Sequence, residues 1–365
     1  MVTRRNAIAS VAAAALLPSL VRRARAAHVT LEAAAAHRER FFGSAVRIGQ
    51  LKVEDDLREA VLRECLYLVP EIEMDWAQVE ATYGELTFDK LDDLASFAGE
   101  NGKRIRGHTL LWHLSVPDWA VSMLRENRDW MLIARYFGSI IPRYGDVINQ
   151  WEVVNEPIDI GHRADGLRDN IFLEAFGPDY IARALQQARI FAPHAQLLIN
   201  EYGLEYANAE ERARRYYFLK LLERLRKKNV PLDAVGVQAH LDLSKGPLDT
   251  RAIASFFREV AGMGLSFVIT ELDVKEADFA ATDEQRDRLA ADEVRRYLDV
   301  ALAQWGVKGV TTWGLSDRHS WLTIDGKTPG LNRGLPFDAS MQPTPMFYAI
   351  ADALWSTGPG RQMRS

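Results

Sequence analysis

Eight short runs rich in apolar and β-branched residues, each followed by a longer stretch with helical patterning, constrain this chain more than any other feature of its sequence. The runs are Phe41 to Ile48, Tyr67 to Met74, Arg104 to Trp112, Val147 to Glu156, Gln196 to Tyr202, Ala234 to Leu241, Ser266 to Val274 and Gly309 to Leu315. Two of the intervening helices show their buried faces. Phe218, Leu221, Leu222 and Leu225 fall at i, i+3, i+4 and i+7 with bases opposite, and Asn229 before Pro231 stops the run. Farther on, Thr282 and Gln285 have capping-box spacing, Val294, Tyr297, Leu298, Ala301, Leu302 and Trp305 share a face, and Gly306 offers a C-cap. Eight strand-helix units without a Pro-, Gly- or Ser-rich linker predict an α/β protein, a single (β/α)8 TIM barrel over residues 27–355. Two smaller α/β domains are the alternative that 365 residues permit.

Composition narrows the partners. With 48% hydrophobic and 26% charged residues, the chain can build a substantial core and is neither disordered nor a small disulfide scaffold. Cys65 is the single cysteine, which excludes internal disulfides and cysteine-cluster metal sites, and its apolar neighbours mark it as core filler. The net charge is −5; residues 1–26 hold five arginines and no acid, so the remainder carries 40 bases against 50 acids, or −10. Nucleic acid is therefore not an expected partner. Residues 1–26 read as an export signal of twin-arginine type: Arg4-Arg5, an alanine-rich apolar stretch from Ala7 to Leu20, then Ala24-Arg25-Ala26 as a cleavage site. The mature protein is expected outside the cytoplasm, periplasmic or extracellular, as a monomer without a membrane span. Residues 356–365 are expected to form a frayed tail.

In a barrel of this kind, reactive groups gather where strands end, because the loops leaving that face form the pocket. The fourth run ends Trp151-Glu-Val-Val-Asn-Glu156 and the seventh contains Ile269-Thr-Glu-Leu-Asp273. Strand alternation puts Glu271 and Asp273 on one side, Thr270 and Leu272 on the other. Two strand-end carboxylates across one barrel mouth suit acid-base chemistry on a glycosidic bond, with Glu156 as acid/base and Glu271 as nucleophile.

These stretches, together with Arg106-Gly-His-Thr-Leu-Leu-Trp-His113, Asn200-Glu-Tyr202, Gly236-Val-Gln-Ala-His240 and Thr312-Trp-Gly-Leu-Ser-Asp317 with Trp321, resemble glycoside hydrolase family 10, the endo-β-1,4-xylanases. The resemblance spans nearly the whole mature chain. It implies a covalent glycosyl-enzyme, retention of configuration and two carboxyl groups about 5 to 5.5 Å apart. It also implies sugar contacts from Glu71, His108, Trp112, Asn155, Tyr202, Gln238 and His240, and aromatic walls from Trp313 and Trp321. Asn155 is suited to bond the 2-hydroxyl at the cleavage point. Gln238 and His240 are expected to reach Glu271, and Asp273 to fix the His240 tautomer. Trp76, Trp130, Trp151, Trp305 and Trp355 are expected in the core.

The family pattern breaks in one region. Where the family usually has Pro-Glu-Asn-x-Met-Lys-Trp, this chain reads Pro70-Glu-Ile-Glu-Met-Asp-Trp76, and the family's glutamine after the Trp-His pair is Ser115. Ile72, Asp75 and Ser115 thus alter contacts to the glycone half of the cleft. A lysine replaced by an aspartate near two carboxylates needs compensation, and Arg47, at the end of strand one, is expected to pair with Asp75.

The expected function is retaining hydrolysis of internal β-1,4 bonds in xylan or a related β-glycan, through an altered glycone subsite. No cofactor or metal is expected, since the eight histidines form no ligand pair and no phosphate loop stands out. The alternatives are the same mechanism on another β-glucan or an aryl glycoside, and a non-catalytic carbohydrate-binding barrel.

Overall fold

The computed structural model describes residues 29–358. The export-signal reading lies outside them, as does most of the predicted tail. Nine strands occur in this span: β1 (Phe41–Val46), β2 (Tyr67–Pro70), β3 (Arg104–Gly107), β4 (Ile148–Asn155), β5 (Gln196–Glu201), β6 (Ala234–Val237), β7 (His240–Asp242), β8 (Ser266–Lys275) and β9 (Val307–Thr312). All but β7 pair in parallel in a closed ring, β6 joining β8 directly and β9 returning to β1. The helices Asp55–Glu64, Asp89–Glu100, Met131–Tyr144, Tyr180–Phe191, Ala209–Lys227, Thr250–Gly262, Asp283–Leu302 and Pro345–Ser356 each follow a barrel strand. The architecture is a (β/α)8 barrel, and two separate domains are excluded by the closed ring.

The capping box forms as the spacing requires: the Thr282 hydroxyl accepts from Gln285 N, and the Gln285 side chain accepts from Thr282 N. Other boundaries moved. β2 and β3 stop well short of their apolar runs, because Met74, Leu110 and Leu111 are buried within the loops that follow. The sixth run is cut where Ala239 takes a φ of 60°, separating β6 from the short β7. Helix Asp283–Leu302 ends at Ala303, so Gly306 does not cap it; with φ 93° it turns the chain into β9, and Trp305 is only half-buried. Trp355 is 41% exposed and stacks on His37 rather than joining the core. Trp76, Trp130 and Trp151 are buried as expected, and Cys65 is fully enclosed, which pushes its thiol pKa up.

Two apolar volumes hold the barrel. The larger lies between the strands and the helical shell. The smaller, built from Phe41, Tyr67, Leu198, Ala234 and Val268, forms a separate cluster, with the Phe41 and Tyr67 rings 4.3 Å apart. Farther along the barrel, on β1, β3, β4, β5, β8 and β9, buried side chains are polar: Ser44, Arg106, Glu152, Asn200, Thr270 and Thr311. Buried polar groups require partners, and those partners build the site. Among the described residues, no helix is long and apolar enough to cross a membrane.

Candidate active site

Glu156 directly follows β4 with a φ of 54°, a left-handed backbone that costs a non-glycine residue energy and is sustained only by surrounding contacts. Two contacts hold it. Its N–H donates to Asn200 O at 2.9 Å, and its carbonyl accepts from Arg168 Nε at 2.9 Å. Across the mouth, Glu271 on β8 is 4% exposed.

A continuous chain of side-chain amides joins the two carboxylates. Asn200 Nδ2 donates to Glu271 Oε1 at 2.6 Å and to Asn155 Oδ1 at 3.1 Å. Gln238 Nε2 donates to the same Asn155 oxygen at 3.3 Å and to Glu156 Oε1 at 3.2 Å. Thr270 Oγ1 donates to Asn200 Oδ1 at 2.8 Å, which fixes the orientation of that amide. The Gln238 side chain therefore serves Glu156, not Glu271 as expected, and only its carbonyl meets Glu271, accepting from Glu271 N at 2.9 Å; Asn200, absent from the expected site, serves the Glu271 carboxylate. Thr270 and Glu271 both meet Asn200, so strict alternation fails here, where the β8–β9 register shifts between Ile269 and Leu272.

His240 stands as expected between two acids, with Nδ1 2.8 Å from Asp273 Oδ1 and Nε2 3.1 Å from Glu271 Oε2. Burial alone would depress its pKa, but Asp273 and Glu271 raise it well above the usual histidine range. As an imidazolium it donates to both. Trp321 Nε1 donates to Asp273 Oδ2 at 2.6 Å, so this tryptophan both borders the site and anchors the chain Asp273–His240–Glu271.

His108 lies in a second buried ion network. Its Nδ1 is 2.7 Å from Glu152 Oε2 and 4.0 Å from Glu271 Oε1, while Arg106 donates to the other Glu152 oxygen. Burial lowers the His108 pKa, yet Glu152, then Glu271 and Asp75, push it up to about 9. At 2% exposure the ring faces carboxylates more than solvent. His108, Glu152 and Glu271 bring ligand-type atoms within 4.8 Å of one another. Their oxygens are already taken by Arg106, Asn200 and His240, so the donor set fits an ion-pair network better than a metal.

The expected Arg47–Asp75 pair does not form. Arg47 Nη2 instead holds Glu71 Oε1 at 2.6 Å, because both sit at the adjoining ends of β1 and β2. Asp75 stands one loop turn farther on, beside Ser115 and His108. Burial pushes its carboxyl up to about 6, with His108 and Ser115 pulling the other way, and its Oδ1 is closed off without a partner. Ile72 is half-buried in the same loop.

The aromatic residues complete the mouth. Trp313 lies edge-on to His108 and His240, at 4.9 and 6.4 Å between ring centroids. Trp112 is half-buried 6.3 Å from His108, its Nε1 unpartnered. Tyr202 Oη accepts from Arg168 Nη2 at 3.0 Å, and Arg214 covers the Tyr202 ring at 4.1 Å. Arg168 lies in the loop after β4, where no pattern marked it. Glu201 was also missed, although it lies inside the quoted Asn200-Glu-Tyr202 stretch. Its carboxyl is fully buried, accepts from Ile158 N at 2.9 Å, and is pushed up to about 8 by burial against the pull of Arg214.

The glycosyl hydrolase family 10 model matches residues 30–353. An endo-1,4-beta-xylanase of Agaricus bisporus is 30% identical over 285 residues, covering 78% of this chain and 81% of that one. Xylanase 10B of Thermotoga maritima superposes with a TM-score of 0.80 at 27% identity, over 89% of this chain and 98% of that one. Xylanase 10B of Thermotoga petrophila RKU-1, solved in complex with xylobiose, gives a TM-score of 0.80 at 26% identity, over 90% and 97%. With its closed barrel and the matched span on either side of Glu156 and Glu271, this chain belongs to glycosyl hydrolase family 10.

Proposed function

We propose that this protein is an exported endo-1,4-β-xylanase that cleaves xylan or a related β-glycan with retention, Glu156 acting as acid/base and Glu271 as nucleophile. The observation that carries the assignment is the amide chain from Glu156 through Gln238, Asn155 and Asn200 to Glu271, which holds two carboxyl groups of different exposure around one sugar-binding amide.

In the first step a Glu271 oxygen bonds to the anomeric carbon while Glu156 gives its proton to the departing glycosidic oxygen. In the second, Glu156 takes a proton from water, the water oxygen bonds to the anomeric carbon, and the ester to Glu271 breaks. Asn200 and His240 donate to Glu271 throughout, orienting its attack and later stabilising it as a leaving group. Asn155 offers its amide to the 2-hydroxyl, where a hydrogen bond strengthens as positive charge develops. Trp112, Tyr202, Trp313 and Trp321 supply ring surface to the sugars.

Ile72, Asp75 and Ser115 make the glycone half of the cleft unlike an ordinary xylanase. Arg47 contributes by holding Glu71 rather than by meeting sugar. Residues 1–26 direct export, and the barrel is the catalytic unit.

Two variants test the roles. Glu271→Gln should abolish turnover of xylan. Glu156→Ala should lose on the order of a thousandfold on xylan yet keep cleaving an aryl xyloside whose leaving group needs no proton. A fully active Glu271→Gln enzyme would overturn the assignment. Product analysis across xylan and mixed-linkage glucans fixes the polysaccharide; equal rates on all would remove the case for an altered glycone subsite.

A further inference from the structure

The loop that carries Glu71 and Asp75 continues past the short helix Trp76–Val79 and presents Tyr83 at the outer rim of the barrel mouth, 53% exposed. This ring is held by a buried framework. The Glu80 carboxylate, wholly enclosed, accepts from Gly84 N at 2.9 Å, from Trp76 Nε1 at 3.2 Å, and from Arg135 Nη2 at 2.6 and 2.8 Å. The Glu80 carbonyl accepts from Trp119 Nε1 at 2.8 Å. Arg135 in turn lies 5.2 Å from the Tyr83 ring centroid and 5.9 Å from that of Trp119, and the Tyr83 and Trp119 rings meet at 5.0 Å. A surface tyrosine backed by a guanidinium and a second aromatic loses little freedom when something settles on it.

Beside it opens a hollow of about 210 Å3, lined by Tyr83, Met123, Asn127, Asp129, Met131, Leu132 and Arg135. Asn127 and Asp129 are exposed, and Met131 is 66% exposed. A fixed aromatic surface next to amide and carboxylate groups is the chemistry that recognises a pyranose: the ring takes its C–H face and the polar groups its hydroxyls. Trp76, the residue after Asp75, is buried and lies edge-on to Trp119 at 5.8 Å, and Trp119 meets Tyr83, so the packing that seats the Asp75 loop also fixes the Tyr83 ring.

We infer that the hollow beside Tyr83 is a second glycan-binding site, outside the cleft, that takes pyranose units of the β-1,4-linked chain the enzyme cleaves. The identity of that glycan rests on the function proposed above. The site retains the enzyme on insoluble polysaccharide while the cleft works on the chain.

Full-length Glu271→Gln protein is to be mixed with insoluble xylan and the bound fraction measured, with and without Tyr83→Ala. Separately, Tyr83→Ala in the active enzyme is to be assayed on insoluble xylan and on a short soluble xylo-oligosaccharide. The expected result is about tenfold weaker binding, slower hydrolysis of the insoluble substrate, and unchanged kcat/KM on the oligosaccharide. Tyr83→Phe, which keeps the ring, should bind like the parent, and circular dichroism of both variants checks their fold. Unchanged binding of Tyr83→Ala overturns the inference. An equal loss on the short oligosaccharide also overturns it, by placing Tyr83 within the cleft. Failure of the otherwise unaltered enzyme to cleave any xylan would instead count against the proposed function, so the two failures are distinguishable.

Discussion

A β-carbon added at Gly236 on β6 would lie 2.2 Å from Asn200 Oδ1, so the glycine leaves the room in which that amide turns toward Glu271. Gly236→Ala is therefore expected to fold but to displace Asn200, lowering kcat tenfold or more, roughly the cost of misplacing a reacting group by part of an ångström. Steady-state kinetics with circular dichroism separates this from unfolding; an unchanged kcat would show that Asn200 does not position Glu271. Asp75 gives a pH prediction. Its folded pKa is about 6, against an ordinary value of 3.8, because burial disfavours its charge. As pH rises, the unfolded chain releases this proton first and the folded protein later, so stability falls between about pH 4 and pH 6 and stays lower above. Asp75→Asn should accordingly melt higher than the parent above pH 6, the margin vanishing below pH 4. Calorimetry at several pH values checks the sign. The paired glutamates were legible as strand-end residues, as was the Asp273–His240–Glu271 chain. Arg168 and Glu152 were not, since their partners are distant in sequence and no local period marks them.

Among the helices, Asp283–Leu302 shows how far local rules reach. Its reciprocal Thr282–Gln285 cap is written in four residues and forms as written. Thr282→Ala should cost about 1 kcal/mol, read as a lower denaturant midpoint with kcat unchanged, because the cap lies on the exposed rim. A shift within error would mean that the helix start is held by packing alone. The far end of the same helix departs from the expectation: it stops at Leu302, whose carbonyl accepts from Arg40, and Gly306 serves the next turn. Strand lengths were overread for a related reason. An apolar residue such as Leu110 satisfies its burial equally well in a strand or in a loop folded onto the core, and the one-dimensional pattern does not distinguish them.

Over the whole molecule, the described chain closes on itself. Helix Leu31–Ala36 packs on helix Pro345–Ser356, which also packs on Asp283–Leu302. Arg40, 6% exposed, donates to Leu302 O and to Thr357 O. Arg40→Ala leaves those buried carbonyls without their charged donor and should destabilise the protein by about 2 kcal/mol, visible as a lower denaturation midpoint, with KM unchanged. A change in KM at constant stability would contradict a purely structural role. What the sequence by itself determined was periodicity and placement. Eight apolar runs of strand length demand burial on both faces, which a closed parallel barrel supplies, and the polar residues at their ends are left facing the mouth. Only the tertiary structure decided which donor serves which acid: Gln238 to Glu156, Asn200 to Glu271, Arg47 to Glu71. The reason is physical. Burial period is a property of each segment, whereas a hydrogen bond depends on distances set jointly by strand register, bulges and loop turns contributed by separate parts of the chain.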